Sequence, residues 1–397
     1  MRKGQIIFKE GERVEKALLV VDGRVSLRST LGYEIVAEGG DVIGEWVLVG
    51  EAQESATALT EVEVEELGDL RFSWALLLRA FERLEKVNEN FSAELSKPTD
   101  ILKTVKRLRR GTWNRLDEVM RNPYYEARRM IASGDYENAF RTLMKVDRYS
   151  SDPSMVEDSE IWKTFCAVMM GQENAIRRYN TLLRKKGDYG KYISMSVLIE
   201  AVNKGLEGMD VMAKMYLKHG ILIPPKTILM LEGERGREAF FVLRGSPRVV
   251  RYSGGEEKIL AFLGPGELVG EVAVLGDVPR TATVFTSVPL QVLVFEREVL
   301  KGVVGDNEKF GLEVLRGILR RIARMRKLKE AGADPIKRIK ALFTDRTVEE
   351  VNEMGITLDE MASYLGMDKK RVVDFLTSNR IASIRSDGRL KFTGELV

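Results

Sequence analysis

The sequence predicts a multidomain α+β chain. It should hold two antiparallel β-barrels of the double-stranded β-helix (jelly-roll) type, an α-helical hairpin domain between them, and a C-terminal winged helix-turn-helix. Three observations predict this. A set of landmarks occurs twice in the same order, the periodicity between the two copies is helical, and the last sixty residues read as helix, turn, helix and hairpin. At 397 residues the chain is long enough for several domains, each with its own core.

The repeat comes first. Glu10-Gly11-Glu12-Arg13 recurs as Glu232-Gly233-Glu234-Arg235. A short apolar strand and a glycine turn follow each, Ala17–Gly23 and then Ala239–Gly245. Each copy then reaches a Gly-Glu pair, Gly44-Glu45 and Gly270-Glu271, with four more residues intervening in the second copy. Short apolar runs punctuated by glycines at these intervals read as antiparallel strands. After the first copy, Trp74, Leu77, Phe81, Leu84, Val87 and Phe91 step by three and four, the mark of an amphipathic helix. Residues 99–218 show no convincing strand. There, Gly134-Asp135-Tyr136-Glu137-Asn138-Ala139 is echoed by Gly171-Gln172-Glu173-Asn174-Ala175, and the two Asn-Ala pairs stand 36 residues apart. This stretch resembles tetratricopeptide helical hairpins, which implies a protein-binding groove; a plain helical spacer is the alternative.

Composition excludes several chemistries. No apolar run is long enough to cross a bilayer, and the start, Met1–Glu10, is too short in apolar residues for a secretory signal. The expected location is cytoplasmic. The single cysteine, Cys166, cannot form an intrachain disulfide, and its apolar neighbours mark a buried structural thiol. His219, the one histidine, stands before a glycine and reads as a helix end. With so few of these residues, Cys/His metal sites and nucleophilic triads are unavailable, and the chain is expected not to be an enzyme. Net charge is +3 but uneven: residues 316–397 carry +6 and the remainder −3. That asymmetry permits nucleic-acid binding.

The run Gly264–Ala282 carries the candidate site. A glycine lets backbone approach a ligand, N–H groups at a helix start attract phosphate, and an arginine offers a planar, permanently charged fork. A carboxylate beside the glycine can accept from a sugar hydroxyl. Gly270-Glu271 followed by Arg280-Thr281-Ala282 resembles the phosphate-binding cassette of cyclic-nucleotide-binding domains. The resemblance implies Arg280 on the cyclic phosphate, Glu271 on the ribose 2′-hydroxyl, backbone from Gly270, Val272 and Ala273, and a hydroxyl from Thr281. The alternative is a ligand-free unit in which Glu271 and Arg280 pair with each other. The glycine run Gly264-x-Gly266-x-x-x-Gly270 is spaced wrongly for a dinucleotide loop. Aligning the two Gly-Glu pairs sets Glu54 on Arg280, where it would repel phosphate, so the first copy is expected to keep the fold without the ligand.

Beyond the second copy, Leu315, Ile318, Ile322 and Met325 fall at 3-4-3 spacing on a helix from about Asn307 to Lys329, flanked by Arg316, Arg320, Arg321 and Arg324. So narrow a seam is expected to pair with a second copy of itself, as a homodimer; packing on its own barrel is the alternative. Pro335 suits a helix start, Thr357 with Glu360 makes a capping box, and Asp368 caps a second helix. Ile381–Arg385 and Arg389–Phe392 flank a turn at Ser386-Asp387-Gly388. Expected DNA contacts are Lys369, Lys370, Arg371 and Asp374 on the second helix, and Arg385 and Arg389 on the wing.

Barrel, seam helix and winged helix in succession resemble the Crp/Fnr family of regulators over residues 222–392, leaving the first barrel and helical middle outside the resemblance. This implies a transcription regulator binding a cyclic nucleotide and DNA, with cyclic AMP expected ahead of cyclic GMP and no metal. Lys369, Lys370 and Asp374 depart from the family's recognition pattern, which leaves the operator open. Met325 and Arg326 stand where a family member has small hydroxyl residues against the base, which leaves the base open. The expected domains are 1–95 (degenerate barrel and helix), 96–220 (helical), 221–306 (ligand barrel), 307–333 (dimerisation helix) and 334–397 (winged helix). A ligand-sensing protein-interaction scaffold, without specific DNA binding, is the alternative function.

Overall fold

A computed structural model of the chain describes residues 1–91, 113–184, 193–253 and 256–393. The expected boundary between residues 95 and 96 lies outside them. Two β units of like plan are present, and neither closes into a barrel. In the first, strands Ile6–Phe8, Ser55–Ala58, Arg24–Arg28 and Glu34–Glu38 form one sheet, and Val42–Ile43, Leu18–Asp22 and Glu63–Glu66 another. In the second, Glu256–Phe262, Pro247–Ser253, Thr283–Thr286 and Thr227–Met230 form one sheet. Leu268–Val269, Glu238–Arg244, Leu290–Glu296 and Gly220–Ile223 form the other. Each unit is an open two-sheet jelly roll, because strands of two to seven residues leave edges that no ladder bridges. A strand missed in the sequence, Asn114–Arg115, adds in parallel to Thr227–Ile228 and covers one such edge.

The helical middle follows its glycines. Pro123–Ala132 and Tyr136–Leu143 pack as a hairpin around Gly134 (φ 84°), and Pro153–Met169 and Glu173–Arg184 around Gly171 (φ 67°). The echoed motifs therefore mark the same turn. These helices are not a free-standing repeat, because their core is continuous with that of the second jelly roll. Tyr125 Oη donates to Leu222 O at 3.0 Å, and Arg128, stacked 3.5 Å from the Trp162 ring centre, donates to the carbonyls of Tyr216 and Gly220. Cys166 is fully buried and its thiol is pushed up to about 12, chiefly by desolvation. His219 ends helix Val211–His219 against Phe295.

The long helix runs Glu308–Ala331, capped by Asn307. Its seam of Leu315, Ile318, Ile322 and Met325, expected to pair with a second copy of the chain, is covered within this one. The first three are 0–3% exposed within a single chain and Met325 is half-buried, because one helix is wrapped by three parts of its own chain. The second jelly roll supplies Phe241 and Phe295 against Phe310, and Gly317 lies so close to Gly266 that a Cβ would meet its carbonyl at 2.6 Å. Helix Pro335–Leu342 covers the C-terminal end. The third part is helix Trp74–Phe91 of the first half, which lies against the long helix. Around it Arg326 pairs with Glu51 and Lys329 donates to Thr30 O. The seam has found a partner helix, but in the same chain.

The C-terminal part holds short helices followed by a two-stranded hairpin. Helix Leu358–Leu365 starts from a reciprocal Thr357/Glu360 capping box and stops at Gly366 (φ 67°). Helix Lys369–Ser378 is capped by Asp368, and strands Ala382–Ile384 and Leu390–Phe392 pair as a hairpin.

Candidate functional site

The cassette begins with Gly270 in the left-handed region (φ 82°), followed by helix Glu271–Gly276. Arg280 is 5% exposed. Its Nη1 donates to Gly270 O at 2.9 Å and its Nη2 to Glu238 O at 2.7 Å. Both partners are neutral carbonyls, and among the described residues no carboxylate forms an ion pair with this guanidinium; burial lowers its pKa against the pull of Glu238, Glu271 and Glu234. A Cβ at Gly236 or Gly270 would come within 2.2 or 2.5 Å of that guanidinium, which is the physical reason for glycine at both. The alternative Glu271–Arg280 pair does not form. Glu271, 2% exposed, accepts instead from Arg321 of the long helix at 2.9 Å. Burial raises its carboxyl pKa against the opposing pull of Arg321.

Beside the cassette lies a cavity of about 340 Å³. Of the six residues expected to bind ligand, Val272 and Thr281 line it; Gly270, Glu271, Ala273 and Arg280 do not. Arg251 enters from strand Pro247–Ser253, 9% exposed, with its Nη2 3.5 Å from Glu232 and its Nε without a hydrogen-bond partner among the described residues. The long helix contributes Arg321 and Arg324, and the C-terminal part Arg346 and Tyr364. Glu267 joins these parts: it takes Arg324, Arg346 (2.8 Å) and the Gly264 N–H (2.7 Å). Burial alone would raise its carboxyl pKa, yet the two arginines and that N–H hold it below the usual range. Arg346, buried and beside Arg324, falls to about 10. Sequence reading placed Arg321 and Arg324 on the helix flanks but had no signal for Arg251, Arg346 or Glu267, which converge only in the fold.

The first half has the same frame with the space filled. In the second half the Gly233 N–H donates to Arg280 O and the Arg280 N–H to Glu234 O; in the first, Gly11 donates to Ala52 O and Ala52 to Glu12 O. The backbone therefore matches Arg280 with Ala52, not with Glu54 as the sequence alignment had it. The first copy is two residues shorter between its Gly-Glu pair and this position, and Glu54 falls on Ala282. Where the second half keeps Val272 and Ala282 on the cavity wall, the first carries Trp46 and Glu54, both fully buried. Arg83, also fully buried, bridges Glu54 (2.6 and 2.8 Å) and Glu45 (2.5 Å), and Trp46 Nε1 donates to Glu54 at 3.0 Å. An indole and an internal ion triad occupy the space that is open in the second half.

On the C-terminal surface Lys369, Lys370, Arg371, Asp374 and Arg385 are exposed and Arg389 is half-buried. Lys369 pairs with Asp359 in water. Arg385 and Arg389 also line a cleft of about 380 Å³ facing Gly245 and Gln291 of the second jelly roll. The two bodies are tied by Arg248, which is fully buried. It donates to Glu360 at 2.9 and 3.1 Å and to the carbonyls of Met354 and Gly355 at 2.8 and 3.2 Å.

Two segments, residues 1–74 and 221–307, match the family model of the cyclic nucleotide-binding domain. A CRP-like cAMP-activated global transcriptional regulator of Mycobacterium tuberculosis is 27% identical over 94 residues, 23% of this chain and 42% of that protein. The cyclic AMP receptor protein of Thermus thermophilus is 35% identical over 78 residues, 19% of this chain and 36% of that protein. The chain thus spans less than half the length of these curated relatives. Among solved structures, the c-di-GMP responsive global regulator CLP of Xanthomonas campestris superposes with a TM-score of 0.36 at 19% identity, over 44% of this chain and 94% of that one. Among the described residues no helix is long and apolar enough to cross a membrane, and no group of three His, Cys, Asp or Glu is placed to hold a metal ion.

Proposed function

We propose that this chain is a ligand-responsive transcription regulator that binds a cyclic nucleotide in its second jelly roll and DNA through a C-terminal winged helix. The observation that carries the reading is the contrast between the halves. One cavity is filled by Trp46, Glu54 and Arg83, while the other is open beside Thr281, next to an Arg280 held by carbonyls alone. A cyclic phosphate at Arg280 exchanges carbonyl acceptors for charged ones. The 2′-hydroxyl competes with Arg321 for Glu271, loosening the long helix at that turn. Because Arg324 and Arg346 share Glu267, a shift of that helix reaches the C-terminal part through one carboxylate.

The exposed Lys369, Lys370 and Arg371 at the start of helix Lys369–Ser378 supply the positive end for a major groove, with Arg385 and Arg389 at its flank. The reading is tested by calorimetric titration of the full chain with cyclic AMP and cyclic GMP. Binding of one ligand per chain is expected, weakened by ~2 kcal/mol or more in Arg280→Ala. An affinity unaffected by that change refutes the site. DNA binding should fall steeply with salt and vanish when Lys369 and Lys370 are both replaced by Glu, with nucleotide binding intact.

A further inference from the structure

One wall of the open cavity comes from the half of the chain whose own pocket is filled. Glu85 and Asn88 stand three residues apart on one face of helix Trp74–Phe91, and both line the cavity lined by Val272 and Thr281. Their place is set by neighbours: Leu84 and Val87 are fully buried where this helix meets the rest of the core. Glu85 is the only carboxylate among the described lining residues, and it makes no ion pair with any described residue. The other charged lining groups are arginines, and Arg321, Arg324 and Arg346 already hold Glu271 and Glu267.

We propose that the first half completes the ligand site within the same chain, with Glu85 and Asn88 reading the base, and that the base they fit is guanine. This rests on the cyclic-nucleotide reading above. A carboxylate repels phosphate, so Glu85 faces the uncharged end of a ligand whose anionic end lies toward the cassette. An ionised carboxylate only accepts, and it accepts best from two parallel N–H groups. Guanine presents its ring N1–H and its N2 amine side by side. Adenine sets one amine beside a ring nitrogen that is itself an acceptor and would face the carboxylate lone pairs. The Asn88 amide, a donor as well as an acceptor, suits the neighbouring O6. The degenerate half is therefore a specificity element, which accounts for a fold kept after its own pocket was lost.

The test is calorimetric titration of the full chain, as wild type, Glu85→Gln, Asn88→Ala and Arg280→Ala, with cyclic GMP and cyclic AMP as separate probes. Wild type should bind cyclic GMP more tightly. Glu85→Gln should weaken cyclic GMP by about tenfold or more, the scale of one charge-assisted hydrogen bond, and leave cyclic AMP within about threefold. Arg280→Ala should weaken both alike and preserve their ratio. If both nucleotides bind and their ratio is unchanged in Glu85→Gln and Asn88→Ala, the base assignment is overturned while the site stands. If wild type binds neither nucleotide, the functional reading fails and takes this inference with it.

Discussion

Replacing Arg248 by Ala should release the C-terminal part from the second jelly roll. The Arg248 side chain is fully buried, and it serves Glu360 through two hydrogen bonds and the carbonyls of Met354 and Gly355. Among the described residues, its loss leaves the Glu360 carboxylate, 10% exposed, with the Ser287 hydroxyl and the Thr357 N–H. Removing one member of a buried ion pair costs about 3–5 kcal/mol. The two orphaned carbonyls add to this unless water reaches them. Glu360 also closes the capping box of helix Leu358–Leu365, so the loss propagates into that helix start. The assay is hydrogen exchange over Met354–Leu365 alongside urea unfolding. Protection of that segment should fall well before the jelly-roll strands open. Replacing Arg248 and Glu360 together by Met should recover much of the loss, since it leaves no charge stranded. Lys369→Ala, which removes only an ion pair in open water, should change nothing. Unaltered exchange and unfolding in Arg248→Ala would refute the assignment of this arginine as the tie between the two bodies.

Arg83→Met strands Glu45 and Glu54 in the filled pocket and should destabilise the first half by about 3–5 kcal/mol, read as an early unfolding transition; a single transition at the wild-type midpoint would contradict the triad. Asp at Ile318 and Ile322 should unfold the contact between the halves rather than split a dimer, because both side chains are buried within one chain; soluble, compact monomers with native exchange would contradict this. Acid should undock the C-terminal part. The carboxyls of Glu267 and Glu360 lie below the ordinary 4.5, held there by Arg324 and Arg346 in one case and Arg248 in the other, against burial. Their contribution is complete above that value and is lost as pH falls below it through their depressed pKa values. Exchange protection of Met354–Leu365 that stays constant from pH 6 down to about pH 3 would count against both pairs.

The sequence alone determined what local chemistry determines. The landmark repeat located two units of one plan, and the glycines that must take positive φ located their turns. The capping box at Thr357 and Glu360, the cap at Asp368 and Pro335 at a helix start formed where they were read, since each is satisfied within a few residues. The contact of Gly270 with Arg280 is local in the same way, since the two lie ten residues apart and meet through one carbonyl.

What the sequence could not decide were matters of which surface meets which. The 3-4-3 seam shows that Leu315, Ile318 and Ile322 need an apolar partner, but hydrophobic burial has no direction and names no chain; the tertiary structure buries them within a core shared by the second jelly roll and the first half's helix. Aligning two Gly-Glu pairs could not reveal that the first copy is two residues shorter beyond them. Only strand hydrogen bonds put Ala52 at the arginine position and Glu54 inside the pocket. Arg251, Arg346 and Glu267 are remote in sequence from one another or from the helix they serve, and charges attract at a few ångströms only after packing has brought them there.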